Sequence, residues 1–375
     1  MTRRTASSGA IVGAVAGSLA LTACGGSGPA VDPQPDAPFV LTGVAGVEQV
    51  GQVTGREAPG DTTQYAAGYM DLGSMFEYDD KVWFTFGDTF GGRAEGATGG
   101  GGDFWRSNVM AYTQDDDPSD GITLDGMVVD SANTAKELLE SKKIDGDEMT
   151  VIPTHGFAAN GAMYLHYMSV RHWGEPGEWE VNEAGLGKST DGGQTWTKLD
   201  APRWGGESGF VQIAPYHVHE DGVDTLYVWG ITHGRFGGVR LAKVPAAQVE
   251  DPAAWLYFTG TDDGGQPRWG NDPDAATLVV DDLVGELSVV WNEYLGRWIM
   301  TYLSEGTGIV IREGITPWGP WGDPHVLVGA TEVAGPYAPF MLDRYTQDGG
   351  RVIYFALSIW DPYNVFWYRA ELERS

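Results

Sequence analysis

The chain has 375 residues, with 23 lysines and arginines against 52 aspartates and glutamates, for a formal net charge of −29. Such a surface repels polyanions, so nucleic acid and anionic surfaces are poor partners, while a neutral polymer such as a polysaccharide is compatible. One cysteine excludes an internal disulfide and a thiolate metal site, and 55 glycines with 15 tryptophans and 16 tyrosines suit an all-β domain with many tight turns.

Residues 1–24 read as a targeting segment. Arg3 and Arg4 precede a short apolar run, Ala10 to Leu21, too short to span a membrane as a mature helix. It ends in Leu21-Thr22-Ala23-Cys24, a pattern resembling a bacterial lipobox, in which the cysteine is lipidated. Cys24 is the sole cysteine, and residues 25–38 (GGSGPAVDPQPDAP) have the composition of a flexible tether. The expected mature protein is extracytoplasmic, lipid-anchored at Cys24 or secreted, with one domain over residues 39–375. No other segment is long and apolar enough to cross a membrane, and a monomer is expected.

Two strand-like runs, Tyr69 to Tyr78 and Val82 to Phe86, flank the polar break Asp79-Asp80-Lys81 and predict a β-hairpin. A two-residue loop at Asp79-Asp80 with unbroken register places Asp71 directly opposite Asp88. Facing carboxylates destabilise a sheet, a conflict that makes sense where one keeps a proton as an acid and the other serves as a base. The simpler reading is two solvated aspartates at strand ends.

The same plan of apolar strand, polar turn and aromatic-rich strand recurs four more times, ending at Val170-Arg171-His172, Ile231-Thr232-His233, Leu303-Ser304-Glu305 and Ile359-Trp360-Asp361. Five units of about four strands predict a five-bladed β-propeller. Alternatives are a six-bladed ring, with Phe39 to Val53 opening a blade, or a β-sandwich; strand 39–53 could instead close the ring on the C-terminal blade. Ser189-Thr190-Asp191-Gly192-Gly193-Gln194-Thr195-Trp196 matches the Asp-box, a peripheral turn between outer strands of a blade, which makes Asp191 structural. Asn133 to Lys143 is the best helical stretch. Residues 94–103 read as a flexible loop, either a lid or disordered.

In a propeller the inner strand ends crowd one face. The first strands bring Asp71, His155, Gln212, Glu286 and Tyr337 there, and the second strands bring Asp88, Arg171, His233, Glu305 and Asp361, with Trp105, Trp173 and Trp360 nearby. Carboxylate pairs with aromatic platforms suit glycosidic hydrolysis; taken singly, His155 fits a satisfied turn histidine and Trp360 a core residue. No nucleophile elbow, P-loop, dinucleotide fingerprint or zinc motif occurs. His217-x-His219 is as easily a surface pair as a metal pair. No cofactor is called for, although a calcium ion in the channel is compatible with such a ring.

The run from Asp71 to Thr89 containing Asp-Leu-Gly and Phe-Gly-Asp-Thr, the segment Gly185 to Trp196 and the ending Tyr354 to Arg369 together resemble glycoside hydrolase family 183, over about Gly43 to Glu373. That family, long described only as a domain of unknown function, implies endo-D-arabinanases on a five-bladed propeller, acting on the D-arabinan of arabinogalactan and lipoarabinomannan. The resemblance places the paired catalytic aspartates at Asp71 and Asp88. Asp361-Pro362-Tyr363 departs from the Asn expected before Pro-Tyr, which bears on subsite contacts. The family implies inversion, which requires carboxyl groups about 6.5–9.5 Å apart, whereas directly paired strand residues have Cβ atoms only about 5 Å apart. A bulge near Gly73 or Gly87 reconciles the two; otherwise the second carboxylate is Glu286, Glu305 or Asp361. The alternatives are an exo-acting furanosidase on this fold and a non-catalytic wall-binding propeller.

Overall fold

The computed structural model describes Met1 and residues 37–375; the targeting segment, Cys24 and most of the tether lie outside the described residues. The chain forms five antiparallel sheets arranged as a five-bladed β-propeller. Strand β1 (Leu41–Gln52) comes first. Blade 1 holds β2 (Tyr69–Tyr78), β3 (Lys81–Phe90), β4 (Val109–Thr113) and β5 (Gly126–Met127). Blade 2 holds β6 (Thr150–Ala159), β7 (Ala162–Trp173), β8 (Trp179–Ser189) and β9 (Thr197–Gly205). Blade 3 holds β10 (Gln212–Glu220), β11 (Val223–Ile231) and β12 (Gly237–Pro245), whose outer edge is shared by β13 (Leu256–Thr261) and β15 (Leu278–Val284), with β14 (Pro267–Gly270) beyond β13. Blade 4 holds β16 (Leu287–Asn292), β17 (Arg297–Ser304), β18 (Gly308–Gly314) and β19 (His325–Gly329). Blade 5 holds β20 (Pro336–Gln347), β21 (Val352–Ile359) and β22 (Asn364–Arg374).

Strand β1 pairs with β22 as the fourth strand of blade 5. The N-terminal strand therefore closes the ring and does not open a sixth blade. Closure joins the two ends of the fold by ladder hydrogen bonds and leaves β22 without a free edge. The first strand of each blade is innermost, in the cyclic order β2, β6, β10, β16, β20.

Apolar side chains fill the seams between blades. Trp229 of blade 3 meets Trp298 of blade 4 at 5.2 Å, and Phe76 and Trp83 of blade 1 share a cluster with Met163 and Leu165 of blade 2. Among the described residues the helical turns are six short 3-10 segments.

The helix expected over Asn133 to Lys143 is absent; the segment is irregular. Leu138 and Leu139 are adjacent, so they give no helical stripe, and both are buried in the seam between blades 1 and 2. The side chain of buried Asn108 holds this backbone open. It accepts from the N–H groups of Leu138 and Leu139 at 3.0 and 2.8 Å and donates to the carbonyls of Leu139 and Val151, each at 2.8 Å. The Asp-box forms the turn between β8 and β9, where Asp191 accepts from Ser189 Oγ, Thr195 N–H and Thr195 Oγ1 at 2.6–2.9 Å.

Candidate active site

Blade 1 begins as its residues dictate. Asp79 and Asp80 both take positive φ (53° and 58°), as a two-residue hairpin turn requires, and the register runs unbroken from Tyr78 opposite Lys81 to Ser74 opposite Thr85. It then departs from the direct opposition of Asp71 and Asp88. Gly73 bulges out of β2, so Leu72 faces Phe86, and Gly87-Asp88 bulge out of β3 across from Asp71, after which Met70 faces Thr89. Two compensating bulges restore the register and leave Asp71 facing the two-residue Gly87-Asp88 bulge.

The bulges aim the side chains at different neighbours. Asp71 turns towards blade 5, where Tyr337 donates its hydroxyl to Oδ2 at 2.9 Å. Asp88 turns towards blade 2, where Thr150 Oγ1 donates to Oδ1 at 2.6 Å; Trp105 Nε1 donates to the same oxygen at 2.7 Å. The Asp71 carboxylate lies against the Gly87 backbone so closely that a Cβ on Gly87 would sit 2.6 Å from Oδ1. Gly87 therefore gives the room that Asp71 occupies.

Burial raises both carboxyl pKa values because it penalises the charged form. Asp71 is pushed up to about 7, first by desolvation and then by the Asp88 charge, against donation from Tyr337 and the nearby Tyr363. Asp88 is pushed up to about 6 by desolvation, against the Thr150 and Trp105 hydrogen bonds and the positive charge of Lys143. Asp88 ionises first, and Asp71 then ionises against that charge. The pair can thus hold one proton near neutral pH.

A third carboxylate stands nearby. Glu286 is gripped in bidentate fashion by Arg235, at 2.9–3.2 Å, and its charge adds to the upward push on Asp71. The Arg235 guanidinium also lies 5.1 Å over the Tyr337 ring and 4.0 Å from Glu305. Arg235, which follows His233-Gly234 just past β11, escaped the sequence reading; the strand-end pattern stops two residues short of it.

The remaining predicted residues have varied placements. Gln212 is buried and donates to the carbonyls of Thr232 and Gly234, so it clips the loop that presents Arg235. His155 is buried, held through Nδ1 at 2.8 Å from the Gly156 carbonyl and depressed to about 4 by burial, so it stays neutral at physiological pH. Arg171 is exposed and lies near Glu180, and His233 faces Glu207 at 3.3 Å. Trp360 is exposed above the loop at Gly99, and Asp361 pairs with Arg93 at 3.2 Å. Arg93 also donates to the Gly99 carbonyl, so the loop over 94–103 is tied to blade 5. His217 pairs with Asp224 at the hairpin end of β10 and β11, opposite the end that carries Gln212. Among the described residues no group of three or more His, Cys, Asp or Glu is arranged to hold a metal ion.

The fold recurs in solved structures. A Bacteroides ovatus protein provisionally described as a hydrolase superposes with a TM-score of 0.55 at 12% identity, covering 82% of this chain and 87% of that one. A Xanthomonas citri family 43 glycoside hydrolase complexed with xylotriose (TM-score 0.46, 14% identity, 81% and 87% coverage) and a Bacillus subtilis arabinanase (0.43, 11%, 80% and 94%) are more distant. In sequence, an uncharacterized 35.9 kDa protein of Mycolicibacterium smegmatis is 25% identical over 350 residues, covering 85% of this chain and 97% of the other. Residues 57–369 match the model of a domain of unknown function, DUF4185, so the chain belongs to the DUF4185 family.

Proposed function

We propose that the protein is a glycoside hydrolase that cuts internal D-arabinofuranosyl linkages of a wall arabinan. The observation that carries this reading is the pair of carboxyls at the inner end of blade 1, raised to about 7 and about 6, set in two bulges and bonded to opposite neighbours. In this reading Asp88 takes a proton from a water whose oxygen attacks the anomeric carbon. Asp71 gives its proton to the departing glycosidic oxygen as the carbon–oxygen bond breaks. Bonding the two side chains to neighbours on opposite sides favours room for that water, and so inversion. The resemblance to glycoside hydrolase family 183 supports the D-arabinan substrate, and the high acidic excess is compatible with a neutral polymer. The sequence around Cys24 supports an extracytoplasmic, lipid-anchored site of action.

Purified arabinogalactan incubated with the protein should gain reducing ends, with arabino-oligosaccharides as early products. Release of monosaccharide alone would replace the endo-acting reading with an exo-acting one. Binding of the polymer without any new reducing ends would make the ring a binding surface.

A further inference from the structure

On the face where the second strands end, a cavity of about 430 Å3 opens between blades 2 and 3. It falls within the range of about 300–1,000 Å3 usual for small-molecule sites. None of the residues bonded to Asp71 or Asp88 line it, so it is separate from the carboxylate pair.

Its walls have the chemistry of a sugar site. Phe236 presents an exposed ring that offers an apolar face to ring C–H groups, and the buried Trp179, braced by Trp173 at 5.6 Å, lines the same cavity. His172 and His233 also line the cavity, each paired with a carboxylate, Asp145 at 2.6 Å and Glu207 at 3.3 Å. Imidazoles and carboxylates together suit hydroxyl groups, which both donate and accept. Glu178 and Glu180 on the same wall disfavour an anion.

The cavity is joined to the carboxylate pair through one residue. Gly234 and Phe236 line it, and Arg235 between them reaches Glu286 and lies over Tyr337, which donates to Asp71. On the facing wall Gly177 accepts from Arg235 N–H at 3.1 Å, and a Cβ there would lie 3.2 Å from Phe236 Cζ and 3.4 Å from Glu305 Oε1.

We propose that this cavity is a distal subsite holding one furanosyl unit of the same polymer chain whose linkage lies at Asp71 and Asp88. The inference rests on the hydrolase reading above and adds where along the face the chain is held. A filled distal subsite makes affinity and turnover depend on chain length, as an internal cutter requires.

The test compares wild type with Phe236→Ala and His233→Ala on D-arabino-oligosaccharides of increasing length, reading kcat/KM together with calorimetric binding to the same proteins carrying Asp88→Asn. The expected loss grows with length and reaches about five- to tenfold for the longest oligosaccharides. Trp318→Ala, in a separate cavity of about 460 Å3 on the outer flank of blades 3 and 4, should alter neither readout. A loss equal at all lengths, or no loss in either variant while wild type cleaves arabinan, overturns the subsite and leaves the hydrolase intact. Absence of both binding and cleavage by wild type overturns both.

Discussion

Blade 1 and blade 2 each place aspartate in a tight irregularity of a hairpin, with opposite results. In the Asp-box of blade 2, Asp191 is exposed and receives three hydrogen bonds, and its pKa is lowered to about 2, first by Thr195. In the inner bulges of blade 1, desolvation raises the part-buried Asp71 to about 7 and the buried Asp88 to about 6. The residue type is the same; solvent and the number of donors decide whether it is a permanent anion that ties a turn or a proton carrier. A sequence motif finds the first kind readily, since its donors are local in the chain. The second kind depends on neighbours from other blades.

The contrast breaks most sharply by neutralising each aspartate in turn. Asp71→Asn and Asp88→Asn should each lower arabinan hydrolysis by about 10²–10⁴-fold while far-ultraviolet circular dichroism stays native. The native state holds protons on these carboxyls that the unfolded state releases between about pH 4 and 7, so they make stability fall as pH rises through that range. Thermal melts of Asp71→Asn should accordingly fall less between pH 5 and 8 than those of wild type. A wild-type-like pH slope in that variant would remove Asp71 from the proton carriers.

Gly87→Ala comes next. The new Cβ needs the place of the Asp71 carboxylate, and a displaced acid should cost about tenfold or more in kcat/KM. Tyr337→Phe is smaller, a few-fold in rate. Because Tyr337 donates to Asp71 and favours its ionised form, the alkaline limb of the pH profile should move upwards in this variant. A downward move would mean that Tyr337 instead supports the protonated acid. Asp191→Ala should have the least effect on catalysis. It removes exposed hydrogen bonds worth roughly 1 kcal/mol, visible as a lower melting temperature at unchanged kcat/KM.

The five-fold repeat, the hairpin with its Asp79-Asp80 turn and the Asp-box were legible because each is written in contiguous residues. The ring closure by β1 stood among the alternatives. The Asn133 to Lys143 segment misled because its helix-forming composition was outweighed by a tertiary contact, the Asn108 side chain. The candidate site was legible in part. Asp71 and Asp88 stood out as a charge conflict in one hairpin, and Gly73 and Gly87 marked the bulges. Arg235, Thr150 and the clipping role of Gln212 were not, since each acquires its meaning only from a neighbour brought alongside by blade packing.

The central claim is that one proton is shared between Asp71 and Asp88 during hydrolysis, and the pH dependence of kcat/KM tests it most directly. From about pH 4 to 9 the account predicts a bell, with activity rising as Asp88 ionises near 6 and falling as Asp71 loses its proton near 7. A profile that rises near pH 4 and stays level into the alkaline range would contradict it, because both carboxyls would then be ordinary solvated acids.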